Sequence, residues 1–185
     1  MKHLIYLLLL YLVLSNKVFA TAQFPDLLIY EGETVGIFTN PLEMYFDEKH
    51  PRPDELFKFS CTANWRGYLA TWEIKEGVLY LVKLVDGSCG ENAPEIPLSK
   101  LFPNQTAPIK ATWFSGELKI PQGKQLQYVH MGYGSIYEKE LHLTIKNGKL
   151  VNKITIDNSK KAMPNVEQQT IDELQKLKNW EEKVK

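Results

Sequence analysis

The dipeptide Asn147-Gly148 stands between two runs, 136–145 and 150–156, in which apolar and polar residues alternate. Asn-Gly readily adopts the positive φ angles of a two-residue hairpin turn, and alternation turns one face of each strand toward a core. A second hairpin is predicted over 68–85, because Glu76-Gly77 supplies a similar turn between two further alternating runs. Two hairpins of this kind predict an antiparallel sheet.

The rest of residues 23–156 favours the same architecture. Other predicted strands are short and cover 27–30, 34–38, 42–46 and 109–120, the last ending at Pro121-Gln122-Gly123. Two prolines within residues 50–54 exclude regular structure there, and residues 87–108 have the composition of a long connection. We therefore expect one mainly β domain, either a sandwich or a barrel.

The C-terminal part of the chain has a different pattern. Residues 157–165 are polar and predict a linker, and residues 166–184 predict a helix with a capping box at Thr170-Ile171-Asp172-Glu173. One half of that helix is apolar, formed by Ile171, Leu174, Leu177, Trp180 and Val184. The expectation is an amphipathic helix packed on the domain, with docking to a partner as the alternative.

The first 20 residues have the form of a secretory signal peptide. A basic start at Lys2 precedes an apolar run over 4–14, which is shorter than the roughly 20 residues of a spanning helix. Small residues at the end of this segment predict cleavage after Ala20 or Ala22. The mature protein is expected to be periplasmic or secreted, with no membrane attachment after cleavage.

The cysteine count and the net charge limit the compartment and the class of partner that the sequence allows. Cys61 and Cys89 form an even pair, which predicts one disulfide in an oxidising compartment, with two buried free thiols as the alternative. The full chain has 22 basic and 22 acidic residues, and removal of Lys2 and Lys17 leaves 20 basic against 22 acidic. A near-neutral domain without a basic stripe is not expected to bind nucleic acid.

Residues 128–138 form the segment with the most potential for chemistry. Two glycines flank Tyr133, His130 precedes them and Tyr137 follows, which is the composition of a ligand-contacting loop. Tyrosine rings supply stacking faces, and an imidazole supplies a hydrogen-bonding or acid–base group. The structural alternative is a β-bulge in which glycine relieves crowding and the aromatic residues belong to the core.

A second candidate is the tetrapeptide Trp65-Arg66-Gly67-Tyr68. An arginine between aromatic rings can stack or bind an acidic group through its planar fork. The alternative is the start of a strand, in which the tryptophan fills the core and the arginine extends to solvent.

Glu138, Glu140 and His142 lie two apart on a predicted strand, so their side chains share one face. Such a row could hold a metal or carry out acid–base chemistry, but a solvated outer face explains it without any function and is the expectation here. No metal-binding or cofactor-binding motif is present in the sequence, and we predict neither a metal nor a cofactor.

Two longer strings, 61–74 and 128–135, resemble segments of exported bacterial proteins of unknown function. The resemblance covers roughly residues 57–150. It implies a bacterial, periplasmic or secreted setting, and it brings no activity and no functional residues with it.

Together these features favour a non-enzymatic, exported β-rich domain that binds a ligand or an exported protein through aromatic loops. The candidate contacts are Trp65, Arg66, Tyr68, His130, Tyr133 and Tyr137. One alternative is a hydrolase of cell-envelope material that uses His130 with Glu73, Glu117 or Glu138. A second alternative is a structural or inhibitor protein that docks through its C-terminal helix.

Overall fold

The computed structural model describes residues 22–160, apart from positions 91, 130 and 131. Eight strands form one sheet: β1 (Asp26–Tyr30), β2 (Glu33–Ile37), β3 (Tyr68–Lys75), β4 (Val78–Asp86), β5 (Ile109–Lys110), β6 (Gly116–Gln127), β7 (Ile136–Lys146) and β8 (Lys149–Asp157). The main strand order is β2-β1-β3-β4-β8-β7-β6, and the short β5 pairs with β4 outside this path. The prediction of a mainly β domain is confirmed.

Both predicted hairpins are present in the structure, and β1 and β2 form a third. β1 pairs with β2, β3 with β4 and β7 with β8, all antiparallel. Both residues of the Asn147-Gly148 turn have positive φ, 47° and 74°, and Glu76-Gly77 has 52° and 71°. These angles match the twist of the flanking strands, which explains why these dipeptides end the strands where they do.

One pairing departs from the antiparallel prediction, because β1 runs parallel to β3. Parallel neighbours need a crossover connection, and the 30-residue segment between β2 and β3 provides it. This crossover contributes part of each of the two regions described below.

The two ends of the strand order meet in space. After the end of β2, the Phe38 N–H donates to the carbonyl of Lys119 on β6 at 2.7 Å, and the Thr39 hydroxyl donates to the carbonyl of Glu117 at 2.9 Å. Within the strand order, the contact between β4 and β8 is also short, because these two strands pair only at Val78 and Lys149. The sheet therefore curves around one core and is closed by a few bonds on each side.

The core lies inside this curved sheet. It contains the alternate residues of β3 that the sequence placed on one face, Tyr68, Ala70 and Trp72, all of which are buried. Leu118 of β6 and Leu143 of β7 are opposite each other in the register and are also fully buried. Period-two alternation therefore identified the core face of β3 correctly.

Two short predictions were wrong in detail. Residues 42–46, predicted as a strand, lie mostly in a 3-10 helix, Pro41–Tyr45, because proline has a helical φ and needs no amide partner at the first position. Residues 109–120 are divided into β5 and β6 by a turn in which the Phe114 N–H donates to the carbonyl of Ala111 at 3.0 Å. Strand β6 then continues through Pro121, where the register shifts between Gln122 and Gln125.

The predicted disulfide is confirmed, since Cys61 and Cys89 are joined with an S–S distance of 2.04 Å. Three other predictions fall outside the described residues: the signal segment 1–20, His130, and the C-terminal helix 166–184. Within the part of the chain that the structure describes, no helix is long and apolar enough to cross a membrane.

Candidate functional site

Arg66 is fully buried and forms an ion pair with the equally buried Asp26, with 3.3 Å between Nη2 and Oδ1. Asp26 also accepts hydrogen bonds from the backbone N–H of Ala70 and from the indole N–H of Trp72, both at 3.2 Å. Burial raises the pKa of the Asp26 carboxyl, while the Arg66 charge and these donors act in the opposite direction. The pair therefore joins the start of β1 to the start of β3.

Tyr133 completes this group. Arg66 Nη1 donates to the Tyr133 hydroxyl at 2.9 Å, and that hydroxyl donates to the carbonyl of Phe24 at 3.0 Å. The Asn40 amide also donates to the same hydroxyl at 3.1 Å. We call Asp26, Asn40, Arg66, Trp72 and Tyr133 the Asp26–Arg66 cluster. It links four separate parts of the chain through polar atoms inside the fold.

The remaining predicted contacts lie around this cluster. The guanidinium of Arg66 is 5.6 Å from the ring centre of the fully buried Tyr68. The Tyr68 hydroxyl donates to Glu43 at 2.8 Å, and burial raises the pKa of this phenol well above its ordinary value. Phe38 stacks on Tyr133 at 5.1 Å between centroids and contacts Tyr137 edge-on at 5.7 Å.

Trp65 has the opposite environment from its neighbour Arg66. Its side chain is 56% exposed, whereas Arg66 has no exposed surface. The structural alternative considered for this segment was a buried tryptophan and a solvent-reaching arginine, and the positions of the two side chains are reversed. Of the six predicted contact residues, the structure brings together Arg66, Tyr68, Tyr133 and Tyr137, while Trp65 points to solvent.

The Asp26–Arg66 cluster has little capacity left to bind a ligand. Both charges are paired and both are buried, and the polar atoms of Tyr133 and of the Trp72 indole are engaged within the protein. One exception is Arg66 Nε, which has no hydrogen-bond partner among the described residues. A buried group that already has partners must lose them before it can bind anything else.

A different part of the surface contains an open cleft with a volume of about 360 Å³. Two stretches of chain line it: the 3-10 helix with the loop after it, and the segment 105–113, which contains β5. Its lining residues are Met44, Tyr45, Asp47, His50, Gln105, Lys110, Thr112 and Trp113. We call it the Tyr45–Trp113 cleft. None of these residues was predicted as a contact.

The aromatic part of the cleft is fixed to the core. Tyr45 and Trp113 have ring centroids 4.9 Å apart, and both contact the buried Phe102, which stacks on Trp113 at 5.5 Å. The Trp113 indole N–H donates to the carbonyl of Pro41 at 3.1 Å. These contacts hold the two rings in place without a ligand, which is the preorganisation that a binding site requires.

Asp47 and His50 form the polar end of the cleft. The Asp47 carboxylate accepts the backbone N–H groups of Lys49 and His50, both at 2.8 Å, and lies 3.1 Å from the Nδ1 atom of His50. The N–H of His50, followed by the other donors, holds the pKa of the Asp47 carboxyl below its usual value. Since a carboxylate only accepts, Nδ1 carries a proton, and Nε2 of His50 has no partner among the described residues.

The His50 ring is also held from one side by an aromatic neighbour. Its centroid is 4.5 Å from that of Tyr45, with 32° between the ring planes. Gln105, Lys110 and Thr112 are exposed and complete the polar lining. The cleft therefore combines two oriented rings with an acceptor, an imidazole, an amide, an ammonium and a hydroxyl group.

Sequence reasoning missed the cleft because its two halves are separated by about 60 residues. A partial signal was present in Asp47-x-x-His50, a spacing at which an aspartate commonly closes a turn by accepting backbone N–H groups. Tyr45 and Trp113 gave no such signal, because aromatic residues in short apolar runs are found more often in the hydrophobic core than in a binding site.

The row of Glu138, Glu140 and His142 is only partly solvated. His142 lies between two carboxylates, with Nδ1 3.2 Å from Glu117 and Nε2 3.0 Å from Glu140, and Lys119 also contacts Glu140 at 3.1 Å. Burial raises the pKa of Glu140, but the bonds from His142 and Lys119 outweigh it, so the pKa lies below its ordinary value. Within the described residues, no group of three His, Cys, Asp or Glu side chains is arranged to hold a metal ion.

The carboxylates considered for a hydrolase are dispersed. Glu117 contacts His142 on β6–β7, Glu138 accepts the N–H of Lys124 at 3.0 Å, and Glu73 lies on β3. Their proposed partner His130 lies outside the described residues, so this arrangement stays a hypothesis.

No protein-family model matches this chain, and no curated protein or solved structure matches it either. The geometry of the two regions is therefore the basis for the functional argument.

Proposed function

We propose that this protein is an exported, non-enzymatic β domain that binds a compact saccharide-like ligand in the Tyr45–Trp113 cleft. The observation that carries this proposal is the pair of half-buried rings, 4.9 Å apart, that lines an open cleft beside five polar side chains. Sugars have an apolar face of C–H groups and a rim of hydroxyls, and this combination matches an aromatic surface edged with donors and acceptors.

The size and charge of the cleft narrow the ligand class. A volume of about 360 Å³ lies at the small end of ligand sites, which favours one or two sugar rings over an extended polymer. Lys110 and Asp47 place both charge signs at the cleft, so a uronic acid could pair with the ammonium while neutral hydroxyls donate to the carboxylate.

Export is the second part of the proposal. The Cys61–Cys89 disulfide supports it, because such bonds persist in oxidising compartments. The signal pattern of residues 1–20 supports it independently. Expression with residues 1–20 intact, followed by mass spectrometry of the secreted or periplasmic fraction, tests this part. A product that starts at Thr21 or Gln23 is expected, and retention of the full chain in the cytoplasm would contradict it.

The ligand part is tested by titrating the protein with glucose, N-acetylglucosamine, cellobiose and glucuronic acid while monitoring indole fluorescence and heat. We expect binding of at least one probe, lost in Tyr45→Ala and retained in Phe59→Ala, whose parent side chain is exposed and does not line the cleft. If the Tyr45 variant binds as well as the parent, the cleft is not the site. If none of these probes binds, the proposed ligand class is wrong.

A further inference from the structure

Strand β8 is unusually exposed for a strand within a closed sheet. All five residues from 151 to 155 are exposed, including Val151 at 58% and Ile154 at 51%. Successive residues of a strand point to opposite faces, so Val151 and Ile154 lie on different sides of the sheet. Exposed apolar side chains on both faces of one strand indicate an open edge of the sheet.

The backbone of β8 leads to the same conclusion. β8 pairs with β7 along its whole length, but its contact with β4 ends at Lys149 and Leu150, where the Leu150 N–H donates to the carbonyl of Gly77 at 2.8 Å. A bulge at Val151 shifts the register with β7, and the Asn158 N–H further along donates to Glu138 on β7, so the even-numbered residues 152, 154 and 156 face β7. Because hydrogen-bonding directions alternate along a strand, the backbone groups of residues 153 and 155 point away from β7. They form no backbone hydrogen bond within the described part of the chain.

We propose that residues 166–184 fold back as a helix along this outer edge of β8 and cover Val151 and Ile154. Natural proteins protect open sheet edges in several ways, and covering the edge with a helix is one of them. A helix with its side chains is about 10 Å across, so one that lies beside the edge can contact side chains from both faces.

The position at which the described chain ends supports this occupant. β8 is followed by Asn158, whose N–H donates to the carbonyl of Glu138 at 2.8 Å and whose amide donates to the carbonyl of Tyr137 at 3.1 Å. The chain therefore leaves the fold at the end of the β7–β8 ladder. Residues 159–165 are long enough to reverse its direction.

The length of the predicted helix matches the length of the β8 edge. A helix of 19 residues extends about 28 Å, and the eight residues from Leu150 to Asp157 extend about 26 Å as a strand. Running back along β8, such a helix brings its apolar half, from Ile171 to Val184, beside the exposed stretch.

A second copy of the chain fits this edge less well. The exposed stretch 151–155 is centred on Lys153, so a two-fold pairing of two β8 strands about its centre places one Lys153 directly opposite the other. Like charges opposite each other destabilise an antiparallel pair.

The test is hydrogen exchange, followed by mass spectrometry, on the full chain and two double variants. Leu174→Gln with Leu177→Gln weakens the apolar half, and Lys176→Gln with Lys183→Gln changes the opposite half as a matched control. In the parent and the control we expect amide exchange at residues 153 and 155 to be at least tenfold slower than in the leucine variant. The amides of β3 and β4 should be unchanged in all three proteins, which excludes general unfolding.

Two results would overturn the proposal. One is rapid exchange at residues 153 and 155 in the parent, which would mean that the edge is open to solvent. The other is slow exchange that persists in the leucine variant and weakens on dilution, which would assign the edge to a second copy. Saccharide binding is measured separately in the cleft, so neither result depends on the proposed function.

Discussion

The Asp26–Arg66 cluster and the Tyr45–Trp113 cleft are built from similar residues but differ in what their polar atoms contact. In the cluster, the guanidinium of Arg66 binds both the Asp26 carboxylate and the Tyr133 phenol; Asp26 and Arg66 are fully buried, and Tyr133 is half-buried. In the cleft, the imidazole Nε2, the amide and the ammonium line an open space. Composition alone does not separate the two, because what distinguishes them is whether each group already has a partner.

The crossover between β2 and β3 connects the two regions. Asn40 belongs to the cluster, and the next residues, Pro41–Tyr45, form the 3-10 helix that leads into the cleft. Glu43 on this helix faces inward and binds Arg52 and Tyr68, both at 2.8 Å, while Met44 and Tyr45 line the cleft. The buried polar groups thus position the segment that presents the cleft.

The largest expected effect comes from removing the buried carboxylate. Asp26→Ala leaves the Arg66 charge buried without its partner and also removes an acceptor from Trp72, so we expect a loss of about 3–5 kcal/mol in the free energy of unfolding. Urea denaturation measures it. Asp54→Ala is the control, because the exposed Asp54 side chain has only a 3.5 Å contact with Arg52. Equal stability of the two variants would show that the cluster does not support the fold.

The disulfide should contribute somewhat less. Replacing Cys61 and Cys89 together with serine opens a loop of about 29 residues and is expected to lower the free energy of unfolding by about 3 kcal/mol. The folded fraction of this variant should still bind saccharide, since neither cysteine lines the cleft. Denaturation and titration of the same sample compare stability with binding, and lost binding in the folded fraction would link the disulfide to the site.

Tyr133→Phe tests whether the Tyr133 hydroxyl stabilises the fold or contacts the ligand. The change keeps the stacking on Phe38 but removes the hydroxyl that bonds to Arg66 and Phe24, so we expect a loss of about 1–3 kcal/mol in stability. Saccharide affinity should stay within twofold of the parent. A stable variant with weakened binding would instead make Tyr133 a ligand contact, as the sequence suggested.

The cleft should respond to acid through Asp47. Its pKa is lowered because its ionised form accepts the bonds from the loop residues Lys49 and His50. The ordering of this loop is therefore present above the pKa of a free carboxyl, about 3.9, and is lost as the pH falls through the lowered pKa. We expect Asp47→Asn to weaken saccharide binding about fivefold at pH 7 and to remove the acid-dependent loss below pH 4. Calorimetric titration at several pH values checks both, and unchanged affinity in the variant would exclude a role for this turn.

Trp65→Ala should have the smallest effect. Its ring is mostly in solvent and lies outside the cleft, so stability is expected to change by less than about 0.5 kcal/mol and saccharide affinity not at all. The same titration and denaturation experiments test this. Loss of binding in Trp65→Ala would move the site to the loop beside the disulfide.

Local patterns predicted much of the fold. Turn dipeptides such as Asn147-Gly148 act through their own backbone angles, and the alternation of β3 acts through side-chain direction, so neighbouring residues suffice to find them. The parallel pairing of β1 with β3 could not be found in this way, because it depends on the path of a 30-residue connection. The 3-10 helix at Pro41–Tyr45 was missed since its apolar residues fit a short strand equally well.

The site was less accessible to prediction. Trp65-Arg66-Gly67-Tyr68 attracted attention because of its residue types, yet only the fold shows that Asp26, 40 residues earlier, neutralises Arg66. Conversely, Tyr45 and Trp113 form a surface only because the crossover and the β5 loops meet. Both outcomes depend on long-range contacts that no local pattern encodes.

The most direct test of the central claim uses the indole N–H resonances of the tryptophans in a ¹H–¹⁵N spectrum during titration with saccharide. Trp113 lines the cleft, Trp72 bonds to the buried Asp26, and Trp65 points to solvent. We predict a saturable shift of the Trp113 resonance while those of Trp72 and Trp65 stay in place. A shift of Trp65 or Trp72 with Trp113 unmoved would contradict the assignment of the cleft as the binding site.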